Sequence, residues 1–349
     1  MAIETDYSFS EKLLHRIALG SKFVGRLSFD LEKLISNTKQ LESTTEQHVF
    51  IGGLARAGTT IMMRAFYDSG HFRSLTYRDM PFVLMPGIWK KITQPFYHHI
   101  DEKERAHGDG VFINYDSPEA FEEVFWMVFC ANEYVNNHQL IPHLVSDETI
   151  EEFKLFVGHV IASGDFSEKQ RYLSKNNNNI LRLGAIRKAF PAALIIVPYR
   201  SPLQHAFSLY QQHLRFSKQH DIDAFSSDYM RWLGHFEFGE NHKPFNCSGG
   251  NSLLSFEPND LNYWLVVWID VYRYLLKSSP IGTRFIAFEQ LCISPDTVLG
   301  DLFESAGIAF DVSRESKKIK PQKNINVDNA SKELTTEALE IYQELLSRI

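Results

Sequence analysis

The sequence feature that most constrains the fold is the stretch over residues 48–70, HVFIGGLARAGTTIMMRAFYDSG. It begins with a short apolar run, residues 49–51, which is typical of a buried parallel strand. A tight glycine-bearing segment follows, and the periodic apolar residues after Thr59 predict an amphipathic helix that ends at Gly70. A strand, a glycine loop and a helix N-terminus together offer backbone N–H groups to an anion. We therefore expect an anion site on an α/β core.

This loop departs from the loop of nucleoside-triphosphate enzymes at one position. Those loops read G-x-x-x-x-G-K-[ST], and their lysine contacts the terminal phosphates. Counting from Gly53, the closing glycine falls correctly at Gly58, but Thr59 stands where the lysine should be. The cation lies inside the loop instead, at Arg56. The pattern argues against ATP or GTP hydrolysis and favours a ligand with a lone 5′-phosphate beside another charged group.

A second strand–helix corner lies much further along the chain. The apolar run over residues 194–199 predicts a buried strand that ends at Arg200, and a helix carrying Ser208 follows. A forked guanidinium suits phosphate oxygens, and a hydroxyl one helix turn further on adds a donor. A kinase-like enzyme more often ends such a strand in an aspartate that holds magnesium. This corner therefore predicts a second phosphate site.

The two motifs resemble those of the PAPS-dependent sulfotransferases, which move a sulfuryl group from 3′-phosphoadenosine 5′-phosphosulfate (PAPS) to a hydroxyl or amine. The 5′-phosphosulfate loop of that family commonly reads G-x-P-R-S-G-T-T, and residues 53–60 read GLARAGTT. Ala55 replaces the proline and Ala57 the serine. The family pattern R-x-P-x(5)-S fits the second corner. The resemblance covers about residues 50–325 and is nearest in motif to the tyrosylprotein and bacterial carbohydrate branches.

The resemblance implies that PAPS is the co-substrate and that the protein, not a metal, supplies the cations around it. The implied donor-binding residues lie in the glycine loop, the second corner and a basic C-terminal stretch: Arg56, Ala57, Gly58, Thr59, Thr60, Arg200, Ser208, Ser316 and Lys320. Arg56 and Lys175 are implied to neutralise the charge that develops on the leaving bridge oxygen.

Two residues compete for the role of general base. Asp79 follows a short β-like run that starts at His71, where the family places a carboxylate or a histidine near the sulfuryl group. His107, in a turn, is the rival, because some cytosolic sulfotransferases use a histidine. A base needs hydrogen-bond reach and a tuned pKa. An Arg–Asp pair at a strand end and a solvated turn histidine are the structural alternatives, and we rank Asp79 first.

The predicted fold is a three-layer α/β domain with a central parallel sheet, a P-loop-like nucleotide-binding core and helical insertions. Residues 1–47 are expected to form a helical arm and a polar linker, and residues 48–349 a single sulfotransferase-like domain. The predicted strands carry the site at their C-terminal ends and lie near 49–52, 172–175, 194–199 and 284–288.

The acceptor is predicted from weaker signals. Residues 217–258 are polar and irregular with scattered aromatic side chains, and we expect them to form an insertion on the acceptor side. On that ground the acceptor is predicted to be a hydroxyl of a carbohydrate or a lipid-linked saccharide.

Composition limits partners and compartment. A formal net charge of −7 makes a nucleic-acid partner unexpected. Three isolated cysteines suit reduced thiols and form neither a disulfide framework nor a metal motif. No run approaches the ~20 apolar residues of a membrane span, and the N-terminus has no basic segment before an apolar core. We therefore expect a cytoplasmic enzyme without an integral membrane segment.

Two other classes of function remain open. A P-loop kinase would need a lysine at position 59 and a carboxylate for magnesium, and neither is visible. A non-catalytic nucleotide-binding module would keep the phosphate anchors and would tolerate the loss of Asp79 and Lys175.

Overall fold

The structure, a computed structural model, describes residues 8–36, 47–96, 103–104, 112–113, 116–164, 171–220, 224–250, 255–319 and 329–348. Its centre is a five-stranded parallel sheet with the strand order β2-β5-β1-β6-β7. A separate antiparallel pair is made by β3 and β4. The strands are β1 (Val49–Ile51), β2 (Phe72–Arg73), β3 (Lys103–Glu104), β4 (Phe112–Ile113), β5 (Arg171–Lys175), β6 (Leu194–Tyr199) and β7 (Arg284–Ala287).

Helices pack on the two faces of this sheet and complete a three-layer α/β fold, as the sequence predicted. They are α1 (Phe9–Gly20), α2 (Lys22–Ile35), α3 (Thr59–Asp68), α4 (Pro86–Thr93), α5 (Glu123–Phe129), α6 (Ala131–Tyr134), α7 (Asp147–Ala162), α8 (Leu183–Ala189), α9 (Pro202–His220), α10 (Ala224–Trp232), α11 (Leu261–Ser278), α12 (Phe288–Ile293), α13 (Pro295–Ser305), α14 (Ser313–Ser316) and α15 (Lys332–Leu346). In the part of the chain that the structure describes, no helix is both long and apolar enough to span a bilayer.

The central strands are buried on both faces because their side chains alternate between two hydrophobic cores. Phe50 and Ile195 point into the larger core, which also holds Trp264 and Trp268 of α11. The flanking residues of β1 and β6 point into the smaller core with α3 and α13. Successive side chains of a strand face opposite sides, so a continuous apolar run is what a doubly covered parallel strand requires.

The register of the sheet brings three strand ends together. Ile51, the last residue of β1, pairs with Lys175 at the end of β5 and with Ile196 in β6. The backbone N–H groups of Gly52 and Asn176 continue this pairing, at 3.0 Å each, to the carbonyls of Ile196 and Ile51. The chain leaves the sheet at this edge towards the glycine loop, and the same edge carries Lys175.

The N-terminal helices are tied to the α/β body by polar contacts. Glu32 of α2 accepts hydrogen bonds from the N–H groups of Gly87 (3.2 Å) and Ile88 (2.9 Å), at the start of α4. A carboxylate at a helix N-terminus satisfies otherwise unpaired donors. Arg26 of the same helix forms an ion pair with Glu152 of α7.

One local prediction differs from the structure. The run from His71 forms a strand only at Phe72–Arg73, and residues Tyr77–Asp79 form a 3₁₀ turn instead of extended chain. A similar 3₁₀ turn, Asn177–Leu181, follows β5 and precedes α8. In both segments side-chain oxygens of Asp or Asn bond to nearby backbone N–H groups, which stabilises a turn over regular structure.

Candidate active site

The glycine loop over residues 52–58 is held tightly between β6 and α12. A Cβ atom at Gly53 would lie 2.9 Å from the carbonyl oxygen of Pro198. Gly58, the residue before the first turn of α3, has a φ of +90°, and a Cβ there would lie 2.6 Å from Cδ2 of Phe288. Glycine is required at Gly58 by both its backbone conformation and the space around it. The loop therefore has one well-defined shape at the N-terminus of α3.

Replacing Gly58 by alanine is expected to lower the free energy of unfolding by about 2 kcal/mol, because a left-handed backbone carrying a Cβ is strained and the ring of Phe288 must move. Binding of adenosine 3′,5′-bisphosphate (PAP) should weaken in parallel. Chemical denaturation and calorimetry measure the two effects. Gly184→Ala is the matched control, because a Cβ at this helical position meets nothing within 4 Å and should be neutral or stabilising by up to ~1 kcal/mol. Equal behaviour of the two variants would contradict the tight loop.

The structure brings the two predicted phosphate motifs together. Nε of Arg56 in the loop donates a hydrogen bond of 3.3 Å to Oγ of Ser208 on α9. Burial lowers the pKa of Arg200, the charge of Glu289 opposes that shift, and the charge of Arg56 adds to it. The two guanidinium groups are therefore close enough to repel each other. Two partly desolvated cations and a hydroxyl beside the N-terminus of α3 are an arrangement suited to binding an anion.

Arg56 has an unusual backbone conformation for its residue type. Its φ is +71°, in the left-handed region that non-glycine residues rarely occupy. Such strain persists only where the surrounding contacts hold the residue in place, and it is common at ligand sites. The strained backbone of the loop thus directs the side chain of Arg56 towards Ser208 on α9.

His205 fixes the loop to α9 and was missed by the sequence analysis. Its Nε2 lies 2.8 Å from the carbonyl oxygen of Ala55. Burial lowers the pKa of His205 to about 3, so that the ring is neutral near pH 7 and Nε2 carries the proton donated to this carbonyl. His205 lies three residues before Ser208, on the same helix face. That spacing was a signal that could have identified it.

Glu289 and Phe288 of α12 anchor the second corner. Glu289 accepts a hydrogen bond of 2.8 Å from the N–H of Ser201 and another of 3.2 Å from the hydroxyl of Tyr342. The guanidinium of Arg200 lies 5.4 Å from the centre of the Phe288 ring. The ring of Phe288 therefore contacts both Arg200 and the glycine loop.

On the other side of the loop, Lys175 ends β5 in a largely buried position. Only 8% of the residue is exposed, and its Nζ lies 4.0 Å from Oε1 of Glu119. Lys175 is therefore not an exposed lysine beside a turn. An ammonium group at this strand end lies beside the anion site, because β5 is the direct neighbour of β1.

A second group of polar side chains adjoins Lys175. Nδ2 of Asn177 donates a hydrogen bond of 2.7 Å to Oε1 of Glu237, and Nδ1 of His235 lies 3.5 Å from Oε2 of the same carboxylate. Burial raises the pKa of Glu237, but His235, Lys175 and Asn177 outweigh burial and hold that pKa at about 2. We call Lys175, Glu119, Asn177, His235 and Glu237 the acceptor-side cluster.

The asparagine run beneath this cluster is buried in a network that the sequence did not reveal. Glu122 accepts a hydrogen bond from Asn179 at 2.9 Å, and Glu123 accepts one from Asn176 at 2.7 Å and pairs with buried Arg182. Buried polar groups that bond to one another favour one arrangement of a core. The network therefore holds the segment that follows β5 against α5. No local sequence pattern reveals it, because each partner lies far away along the chain.

Asp79 is held by three hydrogen bonds. Its carboxylate accepts from the N–H of Thr76 (2.7 Å), from the hydroxyl of Thr76 (3.2 Å) and from Nη2 of Arg73 (2.6 Å). Only 4% of the residue is exposed. These contacts close the 3₁₀ turn and hold Arg73. The role of Asp79 as general base stays a prediction.

The remaining predicted residues are not brought to the loop by any described contact. His107 and Lys320 lie outside the described residues. Ser316, at the end of α14, is buried and its hydroxyl has no partner within the described ranges. Two residues further on, Lys318 pairs with Asp68, at the far end of α3 and ~15 Å along that helix from the glycine loop. Ser316 as a phosphate ligand stays a prediction.

Comparison with known proteins identifies the family. A model of the sulfotransferase family matches residues 48–311, which include the loop, both phosphate motifs and the acceptor-side cluster. The chain belongs to the sulfotransferase family and is a sulfotransferase enzyme. Membership implies PAPS as the sulfuryl donor. Among the described residues, no group of three or more His, Cys, Asp or Glu side chains is arranged to hold a metal ion.

The fold is shared with solved sulfotransferases. Sulfotransferase STF9 from Mycobacterium avium is 12% identical, with 99% of this chain and 88% of that chain covered and a TM-score of 0.51. Sulfotransferase STF1 from Mycobacterium tuberculosis H37Rv is 12% identical, with 91% and 82% covered and a TM-score of 0.48. At this identity the likeness to STF9 shows a common fold. No curated protein matches the chain.

Proposed function

We propose that the enzyme transfers the sulfuryl group of PAPS to a hydroxyl of a polar acceptor by in-line displacement. The observation that carries the donor assignment is the convergence of Arg56, Arg200 and Ser208 beside the N-terminus of α3. The repulsion between two neighbouring guanidinium groups is relieved when a polyanion binds them both. A donor with separate 5′ and 3′ phosphate groups supplies such a polyanion.

Each part of the site has a proposed task in donor binding. The amides and side chains of the loop bind the 5′-phosphosulfate through Arg56, Ala57, Gly58, Thr59 and Thr60. Arg200 and Ser208 bind the 3′-phosphate, and Ser316 and Lys320 are proposed as further phosphate contacts from the C-terminal stretch. The side chains of Ala57 and Thr59 are buried, so their contribution comes through the backbone N–H groups that open α3.

The chemistry follows from the two sides of the loop. The acceptor oxygen attacks sulfur, the bond between sulfur and the bridge oxygen breaks, and PAP leaves with the electron pair of that bond. Arg56 and Lys175 are proposed to neutralise the charge on the bridge oxygen, an interaction that is strongest where water is excluded. The acceptor proton must pass to a base. Asp79 and His107 were the sequence-based candidates for it.

A saccharide hydroxyl remains the proposed acceptor, but the evidence for it is no longer the scattered aromatic side chains of residues 217–258. Phe236 and Phe238 of the predicted insertion are buried in the core and therefore do not line a cleft. The acceptor-side cluster instead offers ammonium, carboxylate and imidazole groups whose side-chain exposures lie between 9% and 15%. Partly buried polar groups of this kind favour acceptors that carry several hydroxyls.

The proposal is tested by incubating the protein with PAPS and, separately, with pools of saccharides, phenols and aliphatic alcohols. Mass spectrometry should show an acceptor whose mass rises by one sulfuryl group, with PAP formed in equal amount. A saccharide product would support the acceptor class. A phenolic or aliphatic product would correct the acceptor class and leave sulfuryl transfer intact. Phosphorylation of any pool in a parallel incubation with ATP and magnesium would contradict the proposal.

A further inference from the structure

We propose that His235 takes the proton from the acceptor hydroxyl and that Glu237 is the positioning residue that orients its imidazole. This inference rests on the proposed sulfuryl transfer and deepens it. It is carried by the geometry of the turn over residues 234–237, which the sequence analysis assigned to an acceptor-side insertion without giving any of these residues a chemical role.

The turn is pinned to the strand end that carries Lys175. Nδ2 of Asn178 donates a hydrogen bond of 3.0 Å to the carbonyl of Gly234, beside the bond from Asn177 to Glu237 described above. Gly234 has a φ of +71°, and a Cβ there would lie 2.5 Å from Cγ of Glu123. The turn therefore packs closely against Glu123, and this close packing requires a glycine at position 234. Asn177 and Asn178, which follow Lys175 closely in the sequence, thus hold the turn that carries His235.

The imidazole has the environment of an oriented base. Oε2 of Glu237 lies 3.5 Å from Nδ1 of His235, so that an ionised Glu237 favours the neutral ring that carries its proton on Nδ1 and its lone pair on Nε2. Within the described part of the chain, Nε2 of His235 has no hydrogen-bond partner. The side chain is 15% exposed, so that a small polar group can reach it while bulk water is largely excluded. The charged groups of the cluster around it are Glu237, Lys175 and Glu119.

The contrast with Asp79 favours His235. The carboxylate of Asp79 already accepts three hydrogen bonds, so that its oxygens are occupied by Thr76 and Arg73. The imidazole of His235 instead keeps one nitrogen without a partner among the described residues, and histidine is the side chain most often used as a general base. Asp79 then has a structural task, which is to hold Arg73 and the 3₁₀ turn.

The proposed proton transfer balances. As the acceptor oxygen forms its bond to sulfur, its proton passes to Nε2 of His235. The electron pair of the broken bond stays on the 5′-phosphate of PAP, and Lys175 and Arg56 neutralise the resulting negative charge. The ionised Glu237 stabilises the imidazolium that results, and the proton is later lost to water.

The test uses water as the acceptor, because cleavage of PAPS to PAP and sulfate needs no identified substrate. Radiolabelled PAPS is mixed with excess full-length protein, and the rate is compared for wild type, His235→Ala, Glu237→Gln and the exposed-histidine control His138→Ala. We expect His235→Ala to slow cleavage at least about 100-fold while the Kd for PAP changes less than about twofold, a difference of under ~0.5 kcal/mol. Added imidazole should restore part of the rate in His235→Ala.

A second measurement does not depend on activity. Nitrogen-15 NMR of the wild-type imidazoles should show His235 protonated on Nδ1, and Glu237→Gln should shift that resonance. A wild-type cleavage rate in His235→Ala, or a wild-type imidazole protonated on Nε2, would overturn this inference alone. Wild-type protein that neither binds PAP nor consumes PAPS would overturn the proposed function and this inference with it.

Discussion

Replacing Lys175 by alanine is expected to reduce kcat for sulfuryl transfer by about 10²- to 10³-fold, the usual effect of removing one donor that stabilises developing charge. Its ammonium group is largely buried at the end of β5, directly beside the strand that opens into the glycine loop. In the transition state the bridge oxygen gains negative charge, and only then does Lys175 gain its full interaction. The Kd for PAPS, in which the bridge oxygen is still bonded to sulfur, should therefore change far less than kcat.

Single-turnover kinetics with PAPS measure this effect, and the dependence of the single-turnover rate on PAPS concentration gives the Kd for PAPS. Lys188→Ala is the matched control, because this lysine has an exposed side chain and pairs with Asp147 on the surface. It should leave both quantities unchanged. If Lys175→Ala keeps wild-type kcat, the leaving-group role is wrong, and a loss confined to PAPS affinity would make Lys175 a binding residue only.

Replacing Arg200 by alanine is expected to raise the Kd for PAP by about 100-fold, which corresponds to about 3 kcal/mol for a forked, charge-assisted contact with a phosphate. The ring of Phe288 lies beside this guanidinium at the corner after β6, and Glu289 holds the backbone of the next residue, Ser201. Arg200→Lys should recover only part of the affinity, because an ammonium group cannot make the two parallel hydrogen bonds of a guanidinium.

The control for Arg200 is Arg284→Ala, which removes the same charge from an exposed position at the opposite end of neighbouring β7. Calorimetry should show wild-type affinity for PAP in this variant. A similar loss in both variants would mean that general electrostatic attraction, and not a formed 3′-phosphate site, holds the ligand.

The parts of the molecule that the sequence predicted are those encoded by contiguous residues. The loop with Arg56, Gly58 and Thr59 and the corner with Arg200 and Ser208 each carry their own spacing rule. The parallel sheet follows from apolar runs that end at these motifs. Because the ends of parallel strands meet at one edge of a sheet, the meeting of the two phosphate motifs could also be expected.

What the sequence could not predict depends on contacts between distant residues. The bond from His205 to the loop spans 150 positions, and the bond from Asn177 to Glu237 spans 60. No local pattern marks such partners. Asp79 shows a different limit. Its position in the sequence suggested a chemical role, but the β-like pattern around it did not indicate the local turn in which its carboxylate bonds to Thr76 and Arg73.

The measurement that tests the central claim most directly is a calorimetric titration of the wild-type enzyme with PAP in the presence of a metal chelator, set against a titration with ATP and magnesium. The account predicts that PAP binds tightly without metal, because Arg56, Arg200 and the amides at the start of α3 supply the positive charge, and that ATP binds at least about tenfold more weakly, a difference of ~1.4 kcal/mol. Preference for ATP with magnesium would contradict the account and would favour a phosphotransferase instead.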